Sequence, residues 1–369
     1  MSSDLTGYAA LLHRACGDFG SAQAYLNGNT AVDPACSADL WDSIFSDHTQ
    51  NVQNAKEVIA RFETILAASQ QELRKTATWY ESVDLEQARR IDATYPTTKG
   101  PLPVPRSRPT TDPTFRDARD AVSRLKPAGS ANGWLQGHLD ELRFAPINKT
   151  AGTLFDIASP STLVNEGLKL AFDHDILGSL SNRLAGDWQT YAGCADAWHC
   201  LGDFFSDSAA NIRHGNDVLG ITWQGNAADA ARKYFEKLAT NLDSAKDCFH
   251  ALRDHYQGIA TTVFAFADLV KGGLAYIFDT ALQAALAAAA SAAAATTGVG
   301  IFGTFVGAAV VAQRVSAMLE RYGEILKQYE KLLLYVTMTT GAAGGVTAKV
   351  TQDLKKFPVV GRPYDNAIV

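Results

Sequence analysis

Residues 222–256 read TWQGNAADAARKYFEKLATNLDSAKDCFHALRDHY, and this stretch decides the fold. It opens with a Trp-x-Gly triplet, Trp223 to Gly225, and continues with apolar residues at alternating steps of three and four. The stripe extends through Phe235, Leu238, Leu242, Ala245, Phe249, Leu252, Tyr256, Ile259, Val263, Phe266 and Val270. Such spacing predicts one apolar face of a long helix. Asn226 is a candidate N-cap for that helix, with Asp229 in the capping-box position.

A second stripe of the same kind precedes the triplet, and Gly220 is placed to end its helix as a C′ glycine. Its members are Tyr191, Cys194, Trp198, Leu201, Phe205, Ser208, Ile212, Gly215 and Leu219. The triplet is therefore predicted to form the turn of a helical hairpin. There Trp223 can cover the end of the apolar seam, and Gly225, which lacks a Cβ, allows a tight backbone path.

The N-terminal unit, residues 1–95, carries two further stripes separated by a loop that contains Pro34 and Cys36. The first runs through Leu5, Tyr8, Leu12, Ala15, Phe19, Ala22 and Leu26. The second runs through Val52, Ala55, Ile59, Phe62, Leu66, Ser69, Leu73, Thr76, Tyr80 and Val83. Two long amphipathic helices joined by a loop are expected to fold back as an antiparallel hairpin.

Four further segments complete the chain. Residues 96–113 carry six prolines, which predicts an extended linker. Residues 114–188 indicate shorter, connecting helices. Residues 189–340 hold the Trp-x-Gly hairpin, an Ala/Gly-rich segment and a fifth long stripe, and residues 341–369 are expected to form an extended tail. The predicted fold is all-α, with elongated antiparallel hairpins that pack as a four-helix bundle and additional C-terminal helices.

Residues 280–313 contain no charged side chain and are rich in alanine. Their length suits a membrane span, but alanine contributes little to membrane insertion. Gly303 and Gly307 permit close approach of helices, in membranes and in soluble cores alike. Tight packing of soluble helices is the favoured interpretation, and membrane contact is kept as the alternative.

Composition and motifs argue against several functional classes. The net charge of −6 and the lack of a dense Lys/Arg run do not favour a nucleic-acid partner. The sequence has no Gly-x-Ser-x-Gly elbow, phosphate-binding loop or His-Glu-x-x-His pair. Asp173, His174 and Asp175 form the densest titratable cluster, but neighbours on a helix point to different faces, which favours a solvated patch over a metal site. We therefore predict a non-enzymatic protein with no cofactor and no metal.

A Tyr-x-x-x-Asp pattern, Tyr80 to Asp84, lies near the end of the second stripe. Combined with the predicted turn at Trp223 and Gly225, it resembles the Trp-x-Gly superfamily of type VII secretion substrates of actinobacteria. The N-terminal unit is similar to the small secreted hairpin proteins of those systems, and residues 186–340 are similar to the long Trp-x-Gly members. The chain thus looks like a partner pair fused into one polypeptide.

The resemblance implies a function and a location. Substrates of this family leave the cell as folded four-helix units, and two motifs at one end of the unit form a composite export signal. Here the implied signal consists of Tyr80, Asp84, Trp223 and Gly225. The implied partners are the secretion ATPase and a chaperone. The implied location is the cell envelope or the outside, reached without a cleaved signal peptide, and the N-terminus has no basic region followed by an apolar core.

Under this hypothesis the protein acts by binding or assembly, and two alternatives stay open. In the first, the protein is membrane-active or pore-forming and inserts residues 280–313. In the second, it is the targeting or carrier portion for a separately encoded toxin. Homo-oligomerisation is also left open.

The chain has five cysteines, so at least one thiol is unpaired, and small buried hydrophobes are the favoured interpretation. Export would allow disulfides. Cys200 and Cys248 lie 23 and 25 residues either side of Trp223, which places them at matching levels of an antiparallel hairpin. Cys16 and Cys36 are a second candidate pair, which would tie the first helix to its loop.

Overall fold

The computed structural model describes residues 2–33, 39–82, 85–94, 114–128, 162–173, 175–184, 186–296 and 300–359. Of these residues 90% are helical and none lies in a strand, which confirms the all-α prediction. The α-helices of the described ranges are α1 (Ser2–Asn29), α2 (Asp39–Ser82), α3 (Leu85–Thr94), α4 (Thr162–Ala171), α5 (Ile176–Leu184), α6 (Trp188–Thr222), α7 (Asn226–Thr296) and α8 (Gly300–Lys356). A short 3-10 helix, Val122–Arg124, lies between α3 and α4.

The apolar stripes form the core of a helical bundle. α1 packs on α2, α6 packs on α7, and the two hairpins meet through α1 and α6. The four helices share an aromatic centre. The ring centroids of Phe19 and Phe62 lie 5.8 Å apart, and those of Phe205 and Phe249 lie 5.0 Å apart. Phe19 and Phe205 join these pairs at 5.3 Å. All stripe members between residues 235 and 270 are buried, as the spacing predicts.

The hairpins are antiparallel, so each end of the bundle collects termini from several helices. At one end, where α1 begins, Thr222 at the end of α6 donates a hydrogen bond to Asp4 at 2.8 Å. At the opposite end, the rings of Trp41 and Trp188 meet edge to face with centroids 5.1 Å apart. The turn between α6 and α7 therefore lies at the end of the bundle where α1 begins and α2 finishes.

α7 is far longer than its bundle partners. Its 71 residues correspond to about 107 Å of helix, and the 35 residues of α6 to about 53 Å. α7 and α8 therefore continue as a hairpin beyond the bundle, and α4 packs on this extension. Gly167 of α4 lies so close to Ala281 that a Cβ there would overlap the Ala281 carbonyl. Phe172, directly after α4, packs edge to face on Tyr322 with ring centroids 5.3 Å apart.

α8 extends further than the sequence predicts. It runs to Lys356, so the prediction of an extended tail is wrong for residues 341–356. The cause is tertiary, because α2 binds this part of α8. Asn54 donates to the Thr347 hydroxyl at 3.1 Å, and Arg61 donates to the Phe357 carbonyl at 2.9 Å.

Two other predictions concern boundaries. Gly220 is not the C′ residue of α6, which continues to Thr222 with Trp223 as its C-cap residue, so that boundary prediction is wrong by four residues. The predicted linker at 96–113 lies outside the described residues, as do 129–161 of the connecting region and 360–369 of the tail.

The candidate disulfide between Cys200 and Cys248 is not formed, because both thiols are free, and both side chains are buried as the favoured interpretation expects. Cys200 lies beside the Tyr25 hydroxyl of α1. Cys248 instead lines a small gap between α2 and α8, together with Val58 and Val350. The two residues therefore share a level of the hairpin but face different helices. Cys16 is also free, and its predicted partner Cys36 lies outside the described residues.

Candidate functional site

Trp223 ends α6 and covers the end of the bundle. Its backbone N–H still donates to the Leu219 carbonyl at 3.0 Å, and its own extended conformation, with φ −103° and ψ 114°, stops the helix. The indole is only 2% exposed, as expected for a ring that closes an apolar seam. Its Nε1–H donates a hydrogen bond to the Tyr80 hydroxyl at 3.2 Å. Trp223 thus links the second hairpin to the first.

Tyr80 supplies the other half of this contact from the end of α2. Its ring meets that of Trp223 edge to face, with centroids 6.5 Å apart and an interplanar angle of 83°. Partial burial raises the pKa of the Tyr80 phenol, although the hydrogen bond from Trp223 acts in the opposite direction. The phenol therefore stays neutral at physiological pH. The two motif aromatics that the sequence places 143 residues apart lie together in the structure.

Gly225 is required by the turn for two reasons. Its φ of +119° lies in the region that L side chains rarely adopt. A Cβ at this position would also overlap the carboxylate of Asp92. The Gly225 carbonyl accepts the Asp229 N–H at 3.0 Å, which is the first hydrogen bond of α7. The glycine therefore lets the chain turn and leaves room for a side chain from another helix.

That side chain caps the N-terminus of α7. The two carboxylate oxygens of Asp92, in α3, accept the backbone N–H groups of Asn226 and Ala227, each at 3.1 Å. The Asn226 side chain donates in turn to the Asp92 carbonyl at 3.3 Å. A carboxylate is favoured here because the first N–H groups of a helix have no intrahelical acceptor and carry a partial positive charge.

This capping contact differs from the one that the sequence predicts. Asn226 is the first residue of α7 and not its cap, and the acceptor comes from a residue 134 positions away. No local signal around Trp223 identifies Asp92, because the contact depends on how α3 folds back over the turn. The structure thus joins Tyr80, Trp223 and Gly225 at one site. Asp84, the fourth predicted residue, lies outside the described residues, between α2 and α3.

The far end of α7 belongs to the uncharged stretch 280–313. Within the described part of the chain, α7 alone is long and apolar enough to cross a membrane by length and composition, and 44% of its most apolar window is buried. Ala281 and Ala284 are buried, whereas Leu286 is 53% exposed. The cluster that the sequence singles out at Asp173–Asp175 is only partly described, because His174 lies outside the described residues.

Comparison of the chain with protein-family models, with curated proteins and with solved structures finds no match. The resemblance to the Trp-x-Gly superfamily therefore depends on the motif residues themselves and on their arrangement.

Proposed function

We propose that the protein is a non-enzymatic substrate of a type VII secretion system, exported as a folded helical bundle. Tyr80, Asp84, Trp223 and Gly225 form its export signal in this proposal. Its partners are the secretion ATPase and a chaperone, and it acts by binding or assembly in the cell envelope or outside the cell.

The observation that carries the proposal is the hydrogen bond between Trp223 and Tyr80. A composite signal needs its two motifs at one end of one folded unit, and this contact brings them there from separate hairpins. In a fused chain the two hairpins cannot separate, so the signal would be complete as soon as the bundle folds.

Because Trp223 is buried, the residues of the proposed signal have different roles. Because the indole is 2% exposed, a receptor has little access to it. Tyr80 is partly exposed and the next residue, Glu81, is exposed. In our proposal Trp223 and Gly225 are positioning residues, and the ATPase contacts the end of α2 and the Asp84 segment that follows.

Secretion by a host that carries the system tests the proposal. Tyr80→Ala and Asp84→Asn are expected to remove the protein from the culture filtrate while cellular levels stay unchanged. Tyr276→Ala is the matched control, because Tyr276 is a half-exposed tyrosine on the extension of α7, far from the turn. The control is expected to be exported normally.

Deletion of the secretion ATPase tests the pathway itself. Wild-type protein should then accumulate in cells. Equal release from strains with and without the ATPase would contradict the proposal, as would normal export of both motif variants. Circular dichroism of each purified variant separates loss of the signal from loss of the fold.

A second candidate function is membrane activity through residues 280–313. It is favoured by the apolar composition of α7 and by the exposure of Leu286 near its end. Flotation of the purified protein with anionic liposomes tests it. Recovery of all protein in the soluble fraction argues against membrane action, and flotation that is lost in Leu286→Lys supports it.

A further inference from the structure

Two histidines and one aspartate meet on the surface of the second hairpin, away from the export motif. His199 and Asp203 lie in α6 and His250 lies in α7. His250 Nε2 is 3.2 Å from one Asp203 oxygen, and His199 Nε2 is 3.6 Å from the other. The imidazole rings stack with centroids 5.3 Å apart. The side chains are 24–34% exposed, so solvent and ions reach the cluster.

The sequence builds this cluster in a way that periodicity alone does not reveal. His199 and Asp203 are four residues apart, so both project from one face of α6. His250 joins them because the antiparallel hairpin places it at the same level, 25 residues after Gly225. Gly202 makes room for the approach, since a Cβ at that position would overlap the His250 imidazole. The three groups therefore come together only when the hairpin is folded.

We propose that His199, Asp203 and His250 bind a divalent transition-metal ion such as Zn²⁺. Two imidazole nitrogens and one carboxylate oxygen are ligands that Zn²⁺ accepts. In a tetrahedral site with metal–ligand distances near 2.0–2.1 Å, ligand atoms are about 3.4 Å apart. The 3.2 Å between His250 Nε2 and its Asp203 oxygen is close to this value, and one ligand atom from each of the three residues lies within 4.8 Å of the other two. His199 Nε2 lies 3.6 Å from the second Asp203 oxygen, so a small rotation of the carboxylate or of the ring completes the set. Water fills the fourth position.

The alternative to a metal is a hydrogen-bonded cluster, in which His250 donates Nε2–H to Asp203 at 3.2 Å and His199 Nε2 lies 3.6 Å from the other carboxylate oxygen. Arg253 favours that arrangement. Its guanidinium donates to His199 Nδ1 at 3.3 Å, which keeps the proton of the neutral ring on Nε2. A metal at Nε2 requires the proton on Nδ1, so Arg253 must turn away. Asp254 already accepts from the same guanidinium at 2.6 Å and can hold it in the alternative position.

The electrostatics of His250 agree with metal binding. Partial burial lowers its pKa, and the neighbouring His199 and Arg253 act in the same direction, whereas Asp203 opposes them. The ring is therefore mostly neutral at physiological pH, which is the form that coordinates a metal.

Calorimetric titration of the full-length protein with ZnCl₂ in a chelator-free buffer tests the proposal. One ion per chain is expected to bind. His199→Gln and His250→Gln should each weaken Zn²⁺ binding by at least about tenfold. Loss of a residue that only hydrogen-bonds to a metal ligand already weakens binding by about that much, and each of these variants removes a ligand itself. His13→Gln removes an exposed histidine of α1 and should leave binding unchanged. Titration with CoCl₂ distinguishes this site from the cysteines, because nitrogen and oxygen ligands give no thiolate charge-transfer band.

Two further substitutions separate metal binding from the hydrogen-bonded cluster. Gly202→Ala keeps all three ligands but displaces His250, so it should weaken Zn²⁺ binding. Gly20→Ala is the matched control, because a Cβ at this glycine of α1 would meet no side chain and no other helix within 4 Å. Arg253→Met removes the competing donor and should tighten binding. Circular dichroism checks that every variant is helical.

Two results would overturn the proposal. The first is the absence of stoichiometric Zn²⁺ binding by the wild-type protein. The second is binding that persists unchanged in the His199→Gln/His250→Gln double variant. Neither result depends on secretion, so the metal site and the proposed export function are tested independently.

Discussion

The two ends of α7 differ in how they are held. At its start, the turn is fixed by a glycine with positive φ, a buried indole and a carboxylate from another helix. Toward its end at Thr296, the described residues are mostly alanine, the best helix former, and Leu286 is exposed. One end is therefore fixed by a buried ring and by hydrogen bonds from distant parts of the chain, whereas the other depends on helix propensity and on the packing of small side chains such as Ala281 and Ala284. A recognition site needs the first kind of end, because its geometry must be reproducible.

Removing the indole should have the largest effect on stability. Trp223→Ala deletes a buried ring that touches both hairpins, and truncation of such a ring costs roughly 3–5 kcal/mol of the free energy of unfolding. Urea unfolding followed by circular dichroism measures the loss. Leu286→Ala at the other end serves as the control and should lose less than about 1 kcal/mol, because half of this side chain is already exposed. Equal losses at both ends would contradict the contrast.

Gly225→Ala is expected to cost less, roughly 2–3 kcal/mol. Part of this is the strain of a positive φ, about 1–2 kcal/mol, and the rest is displacement of the capping carboxylate. A double variant with Asp92→Ala separates the two parts. In the double variant the shortened side chain at position 92 no longer meets the new Cβ at position 225, so the loss of the cap is counted only once. The losses in free energy of unfolding of the two single variants should therefore sum to more than the loss of the double variant. Strict additivity would show that Asp92 does not restrict this position.

Asp92→Ala alone should cost about 0.5–2 kcal/mol, the usual range for loss of a helix cap. Asp92→Asn keeps one acceptor oxygen and should lose less than the alanine variant. The same urea titration measures both. Asp254→Ala is a suitable control, because its carboxylate accepts from Arg253 on the hairpin surface and caps no helix start. If the control and the capping variant lose the same amount, the cap contributes nothing specific.

The contrast between the two ends also explains what the sequence could predict. Heptad spacing is local, so it correctly predicted the long helices of the two hairpins, the buried stripe from Phe235 to Val270 and the turn at Trp223, but not the helical residues 341–356. The resemblance to the Trp-x-Gly superfamily implied that Tyr80 and Trp223 lie at one end of the bundle, where the structure joins them by a hydrogen bond. The Asp92 cap depends on the path of α3. The cluster of His199, Asp203 and His250 depends on which faces α6 and α7 turn toward each other and on the space that Gly202 leaves for the His250 imidazole. Neither leaves a pattern in the neighbouring residues.

The exposed end of α7 should tolerate change that its start does not. Leu286→Lys is expected to alter the free energy of unfolding by less than about 0.5 kcal/mol, because an exposed position makes few contacts to lose. Ala284→Lys, two residues earlier but fully buried, is the matched control and should unfold the extension, since it places an unpaired charge among packed helices. Urea unfolding and limited proteolysis distinguish the two.

If Leu286→Lys is as destabilising as Ala284→Lys, another part of the chain covers Leu286, and the stretch is tightly packed in the way that the sequence favours. If it is neutral, the exposed face is free to contact a membrane or a second protein, and the liposome experiment then decides between them.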